Sequence, residues 1–226
     1  MLTVIGLGGS IVAPEQPDTE FLLRFREVIR AHLHAGDNRV IIIVGGGRPA
    51  RTYQKALREI SPDAAHDAQD RIGIAATRLN AALVRELFAD EVEEDVIRDP
   101  ADVTRFTGRV LVAGGWKPGF STDNVAVVLS RHLGATRILN LSNISQVYSD
   151  DPKKNPDATP LEHISWADYR KMAGEDWKPG VNLPFDPVAT RAAAELGLEV
   201  ITAAGTDLEN LGAILRGDHF NGTTIS

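Results

Sequence analysis

"RVIIIVGGGRPAR", residues 39–51, runs a continuous apolar segment straight into three glycines and two arginines. A strand whose apolar residues are continuous rather than alternating is buried on both faces. That is the habit of parallel sheets covered by helices. Glycines at the end of such a strand either make a tight turn or let backbone amides close on an anion. The choice between the two depends on whether the pattern recurs.

It recurs along the whole chain. "LTVIGL" (2–7), "RVLVAG" (109–114), "TRILNL" (136–141) and "LEVITAA" (198–204) are further short apolar runs. "GLGGS" ends the first of these, "GGWKPGFSTD" the run at 109–114, and "GTD" (205–207) the last. Helical patterns lie between them. In 18–36, Asp18 is the cap and Gly36 the stop, with Phe21, Phe25, Val28, Ile29 and Leu33 at three-to-four spacing. Residues 67–90 form a second long helix, 121–135 a third capped by Ser121 or Thr122, and 186–197 a fourth. In the fourth, Asp186 is the cap and proline takes the first helical position. This alternation predicts an α/β fold, a three-layer αβα sandwich with a mainly parallel central sheet, in one domain over 1–226. Ligands of open parallel sheets gather at the carboxyl ends of the strands, where a following helix adds free N–H groups. A single glycine cluster is an ordinary strand ending; three on one sheet edge converge. "YSDDPKKNPDATP" (148–160) and "EDWKPGVNLPF" (175–185) are too polar and proline-rich for regular elements and read as loops.

Composition narrows the functional classes. The 226 residues are 43% hydrophobic, enough for one sizeable core. There is no cysteine, which excludes disulfides and thiolate metal sites. A net charge of -7 argues against holding a nucleic-acid backbone, so an anionic small ligand must be held by local arginines and amides. No apolar run approaches the ~20 residues of a membrane helix, and "MLTVIGLGGS" carries no basic region or cleavage site. A cytoplasmic protein without membrane or nucleic-acid partners is expected. His32 and His34 fall on different helix faces, and "ADEVEEDVIRD" (89–99) lacks the EF-hand order, so no protein metal site is expected. Neither G-x-G-x-x-G nor G-x-x-x-x-G-K-[ST] occurs, which removes the Rossmann and P-loop ways of holding phosphate.

Seven stretches in order carry a resemblance: "GGS" (8–10), "VGGGRPAR" (44–51), "DRIGIAATRLNA" (70–81), "PGFSTD" (118–123), "VYSDDP" (147–152), "FDPVA" (185–189) and "GDHFNGTTI" (217–225). Over nearly its whole length the chain resembles the uridylate (UMP) kinases of the amino acid kinase superfamily, the short archaeal type above all. The resemblance implies transfer of the γ-phosphoryl of MgATP to UMP, with Mg²⁺ brought by the nucleotide. It implies a homohexamer, an acceptor lobe over about 1–135 and an ATP lobe over about 136–226. On the ATP side it places Gly9, Ser10, Gly47, Arg51, Ser142, Asn143, Tyr148 and Asp151. On the UMP side it places Gly46, Asp70 (at the ribose), and Trp116, Lys117, Pro118, Gly119, Phe120, Ser121 and Thr122 as a closing loop. Arg51, Asp123, Lys117 and Lys178 are the candidates for catalysis. The chemistry suits them, because arginine offers a planar fork to phosphate oxygens where two anions meet.

Plainer roles stand beside these: a solvated arginine paired with a glutamate for Arg51, a helix-face charge for Asp70, helix capping for Asp123, and ordinary loop lysines. Arg48, Arg71 and Arg78 are equally open between site and surface. Two departures from the family pattern matter. Gly6 and Leu7 stand where many amino acid kinases carry a phosphate-bridging lysine. "SNISQVY" replaces a form close to "TNVDGVY", with Ser145 and Gln146 for aspartate and glycine. They leave open an alternative, a non-catalytic nucleotide-binding protein resembling molybdenum storage proteins, or a kinase of another small acceptor.

Overall fold

The computed structural model describes residues 1–150, 155–173 and 184–226. The strands are β1 (Leu2–Leu7), β2 (Arg39–Val44), β3 (Val110–Ala113), β4 (Arg137–Ser142), β5 (Val147–Tyr148), β6 (Pro160–Leu161), β7 (His163–Ile164), β8 (Glu199–Ala204) and β9 (Thr223–Ile225). The helices are α1 (Gly9–Val12), α2 (Thr19–His34), α3 (Gly47–Ile60), α4 (His66–Leu87), α5 (Thr122–Leu133), α6 (Trp166–Ala173), α7 (Pro187–Glu195) and α8 (Leu208–Arg216). Among the described residues the central sheet has the order β3-β2-β1-β4-β8-β9-β7. From β3 to β8 every pairing is parallel; β9 turns antiparallel to β8, and β7 runs parallel to β9 at the edge.

Alternate residues of the buried strands feed two cores. Ile5, Leu7, Ile42, Val44, Leu139 and Ile201 face α2, α4 and α8. Val4, Ile41, Ile43, Leu111, Ile138 and Val200 face α5, α6 and α7. Both faces of the sheet are therefore covered, as the unbroken apolar runs require. Phe25, Ile29 and Leu33 of α2 are fully or almost fully buried, each worth about 1.5–3 kcal/mol of transfer free energy. The expected caps form: Asp18 accepts from the Phe21 amide, Ser121 from Asn124, and Asp186 from Val188 and Ala189.

Three features differ from the sequence reading. Residues 47–60 form α3 directly after the glycines, although only Gly47 of that helix is buried. It packs on α4 rather than on the sheet, and its apolar stripe of Ala50, Tyr53, Leu57 and Ile60 is left half-buried or exposed. Pro49 is harmless there because it sits in the first turn, where no intrahelical N–H is lost. Second, Tyr148 and Pro160, at the two ends of the stretch read as a loop, pair antiparallel as part of β5 and β6. Third, α6, α8 and β9 are too short, or too mixed in pattern, to stand out. The loop expected over 175–185 lies largely outside the described residues.

Candidate active site

The carboxyl ends of β1, β2, β3, β4 and β8 share one edge, and the glycine loops prolong the ladder there. Gly8 donates to the Leu141 carbonyl at 2.8 Å, Gly45 to Leu7 at 2.9 Å, and Gly205 to Ser142 at 2.7 Å. The first two loops then meet backbone to backbone. A Cβ on Gly9 would lie 2.5 Å from both the Gly45 carbonyl carbon and the Gly46 nitrogen. Gly47 has φ +61°, and a Cβ there would sit 2.7 Å from the Ala13 oxygen and closer still to that of Gly9. So "GGG" is a tight junction first. It is also a donor array, since Gly9 and Ser10 open α1 and Gly46 and Gly47 open α3, and amides at helix starts have no intrahelical acceptor.

The two arginines separate. Arg48 pairs with Glu15 at 3.3 Å, both side chains at least half exposed. Arg51, in the second turn of α3, is exposed, and among the described residues no hydrogen bond or ion pair engages it. An unpaired guanidinium beside a glycine junction is ready for an anion.

Helix α4 braces this half of the edge. Buried Asn80 donates to the Gly45 carbonyl at 2.8 Å and to Gly46 at 3.2 Å. The Thr77 hydroxyl accepts from the Gly115 amide at 2.6 Å. Arg78 donates to the carbonyls of Gly115 at 3.2 Å and Trp116 at 2.9 Å, which makes it a brace rather than a surface charge. Burial, and then the nearby Arg98, lower its pKa. Arg71 is exposed. Neither Asn80 nor Thr77 stands out in the sequence as a site residue. A signal is nevertheless there: both are polar residues on the face of α4 that buries Ala76, Ala81 and Val84.

Asp70, near the start of α4, accepts from the Gly119 amide at 2.8 Å and so ties down the loop of residues 115–121. Within that loop the Trp116 and Phe120 rings lie 4.8 Å apart, and the Lys117 ammonium sits 3.9 Å from the first and 4.8 Å from the second. This is cation–π geometry, so Lys117 is held by its own loop. Gly119 takes φ +81° at the tip, Pro118 precedes it, and Ser121 leads into α5 as its cap.

Around the middle of the edge lies a cavity of about 170 Å³, lined among others by Gly6, Gly8, Thr122, Asp123, Asn140, Ser142 and Asn143. Thr122, Asp123, Ser142 and Asn143 are thus brought together around one cavity. Gly8 lines the cavity in place of Gly9 and Ser10, and Tyr148, on the hairpin, does not line it. One wall is Gly6 against Asn140, with 3.4 Å between a Cβ built on Gly6 and the Asn140 oxygen. Lys178 and Asp151 lie outside the described residues. Ser121, not Asp123, caps α5. Asp123 instead accepts from the Asp186 amide at 2.9 Å, which ties α5 to the start of α7. Burial pushes its carboxyl up to about 7; the neighbouring Asp186 charge adds to the rise and the Asp186 amide works against it. Asp186 in turn accepts from Asn124 at 3.1 Å and from two amides of α7 at 2.9 Å.

Parallel strands ending in glycine loops, an unpaired arginine and a carboxylate-lined cavity define a phosphate-handling α/β protein. Residues 1–203 match the amino acid kinase family. The chain is 32% identical over 230 residues to the uridylate kinase of Methanobrevibacter smithii, with all of both chains covered. It is 34% identical over 231 residues to that of Pyrobaculum neutrophilum, again over all of both. The crystal structure of uridylate kinase from Archaeoglobus fulgidus superposes with a TM-score of 0.85 at 31% identity over the whole of each chain. The Bacillus anthracis UMP kinase, at 19% identity and a TM-score of 0.77, shares the fold. The chain belongs to the amino acid kinase family and, within it, to the uridylate kinases.

Proposed function

We propose that this chain transfers the γ-phosphoryl group of MgATP to UMP, releasing ADP and UDP. A UMP phosphate oxygen forms the new bond to the γ-phosphorus, and the bond to the β–γ bridging oxygen breaks, with its electrons leaving on ADP. A phosphate monoester has its second pKa near ~6, so the acceptor is already an anion at neutral pH and needs no strong base. Catalysis is then positioning and charge stabilisation. The observation that carries this reading is Arg51, unpaired beside a junction of two glycine loops in a chain of net charge -7.

Gly9, Ser10, Gly46 and Gly47 supply amides to the phosphates, and Arg51 their counter-charge. Asp70 and the loop from Trp116 to Thr122 hold UMP, with Lys117 delivered by that loop. Ser142, Asn143 and Tyr148 serve the ATP nucleoside, together with Asp151; Lys178 is a further cation. Residues 1–135 form the acceptor half and 136–226 the ATP half. No group of three or more histidine or acidic side chains able to hold a metal occurs among the described residues. Magnesium arriving on ATP keeps most of its water shell and asks for one or two carboxylates at most. Asp123 lines the cavity, where its carboxylate orients cationic groups or a magnesium-bound water.

No helix among the described residues is long and apolar enough to cross a membrane, and we place the enzyme in the cytoplasm. Self-assembly to a hexamer is in keeping with α4, which exposes Leu79 (68%) and Leu83 (38%) one turn apart while bracing the site with its other face. Sedimentation velocity reads that directly.

The activity test is ADP release from MgATP with UMP, CMP, dUMP, AMP and acetylglutamate in parallel. Fast turnover confined to UMP is expected. ATP binding without turnover on any acceptor would overturn the kinase reading in favour of a nucleotide-binding protein.

A further inference from the structure

Tyr169 of α6 is buried, with 1% of its surface exposed, and is not among the residues lining the cavity of Asp123. Its hydroxyl is nevertheless used twice on a single residue. It accepts from the Phe185 amide at 2.8 Å and donates to the Phe185 carbonyl at 3.1 Å. A lone hydroxyl gripping both backbone groups of one residue fixes that peptide segment in position and in rotation. Beside it, Asn140 of β4 donates to the Pro184 carbonyl. The next residue, Asp186, gives its amide to Asp123. Residues 184–186 are therefore held from β4, α6 and α5 in succession, and the last hold is the donor to the cavity carboxylate.

Packing alone does not require this. A phenylalanine at 169 would fill the same space beside Trp166, whose ring lies 6.2 Å away edge-on. What it would lose is the grip on Phe185, leaving that amide and carbonyl without their partner. Burial is the main cause raising the tyrosine's own pKa, so the hydroxyl keeps its proton throughout the working range and can always donate. Among the described residues the titratable groups that face Asp123 are Asp186, at the start of α7, and Tyr169 itself.

We propose that Tyr169 is a positioning residue for the Asp123 carboxylate: by fixing Phe185 it fixes the Asp186 amide from which Asp123 accepts. This rests on the reading of Asp123 as a site carboxylate. Loosening the segment weakens the bond that stabilises ionised Asp123, so the carboxyl then takes up its proton at higher pH than in the parent.

The test is Tyr169→Phe in the full chain. Expected is a kcat for UMP phosphorylation at neutral pH lower by about three- to tenfold, the worth of a displaced hydrogen bond. The acid limb of kcat should move to higher pH, with KM for ATP and for UMP changed less than about twofold. In an Asp123→Ala background, where no side-chain acceptor is left for the Asp186 amide, Tyr169→Phe should cost no further kcat, because the two act through one contact. A fall in Tm with kcat and its pH profile unmoved would overturn the proposal, as would additive losses in the double variant. A variant that does not fold would also overturn it, by making the hydroxyl a folding requirement. If the parent shows no UMP turnover, the kinase reading fails by itself. The proposal is then read from stability: the pH window over which Asp123 ionises in thermal melts must move up in Tyr169→Phe, and an unmoved window rejects it.

Discussion

At the β1–β2 end of the sheet edge the glycine loops press backbone against backbone; at the β4–β8 end side chains make most of the joins. In the first region the Gly9, Gly45 and Gly47 main chains approach too closely for any Cβ. In the second, Asn140, Asp123 and Asp186 make the corresponding joins through amide and carboxylate groups. The tight end presents amides whose places cannot be adjusted, which suits phosphate. The side-chain end includes a carboxyl that can change its proton, which suits a cation that comes and goes. Damage should be all-or-none at one end and graded at the other.

The sharpest way to break this contrast is Gly47→Ala against Gly205→Ala. The first needs a left-handed backbone and a collision with two carbonyl oxygens. A loss of at least about 4 kcal/mol, or no folded protein, is expected. The second brings its Cβ to 3.0 Å from Cγ1 of Ile11 and 3.2 Å from the Leu141 carbonyl carbon. Some adjustment is available there, so about 1–2 kcal/mol is expected. Equal effects in urea melts would erase the distinction between the two ends.

Arg51→Ala tests the tight end as a phosphate site. With no partner to lose, its Tm should hold within the scatter of surface substitutions, about 0.5 kcal/mol. kcat should fall by about 10²- to 10³-fold, as for loss of one preorganised charge-stabilising donor. Arg48→Ala is the control. It breaks an exposed pair with Glu15, worth well under about 1 kcal/mol, and should leave kcat near the parent value. Equal kcat losses in the two variants would make the effect one of general charge.

The tight end was also the more legible one. The apolar runs and their glycines predict strands, sheet and edge because continuous burial and glycine endings are local properties of the chain. Asp18, Ser121 and Asp186 read correctly as caps for the same reason. What stayed hidden was held by tertiary contacts. α3 is polar overall, and its sparse stripe of Ala50, Tyr53, Leu57 and Ile60 meets another helix and solvent, not the sheet. Asn80 and Thr77 sit inside the run "AATRLNAALV", where composition alone reads as core. The pairing of Asp123 with the Asp186 amide spans 63 residues, and no spacing rule reaches that far.

The graded end has its own signature in pH. Folded Asp123 keeps its proton up to about 7, whereas an unfolded aspartate releases it near 3.8. Between those values the folded chain binds more protons than the unfolded one, so this residue's contribution to stability falls as pH rises, and levels off above about 7. At about 1.4 kcal/mol per unit, the drop amounts to a few kcal/mol at most. In Asp123→Asn this part of the slope should vanish. Thermal melts of parent and variant at pH 5 and pH 8 should therefore differ most at the higher pH, with the variant the more stable there. Parallel curves would place the carboxyl in water.

Asp70→Asn probes the loop that joins the two regions and carries the smallest expected effect. The asparagine oxygen still accepts from Gly119, so the loop keeps its tie and Tm should be nearly unchanged. What is lost, on the proposed function, is the negative charge offered to two ribose hydroxyls. Charge-assisted bonds are about twice as strong as neutral ones, so KM for UMP should rise by about tenfold, with KM for ATP and kcat near the parent values. Asp70→Ala removes the tie as well, and should add a loss of kcat because Lys117 rides on that loop between Trp116 and Phe120. If the two variants behave alike, the Gly119 contact has no part in closing the acceptor site, and Asp70 acts on the nucleotide alone.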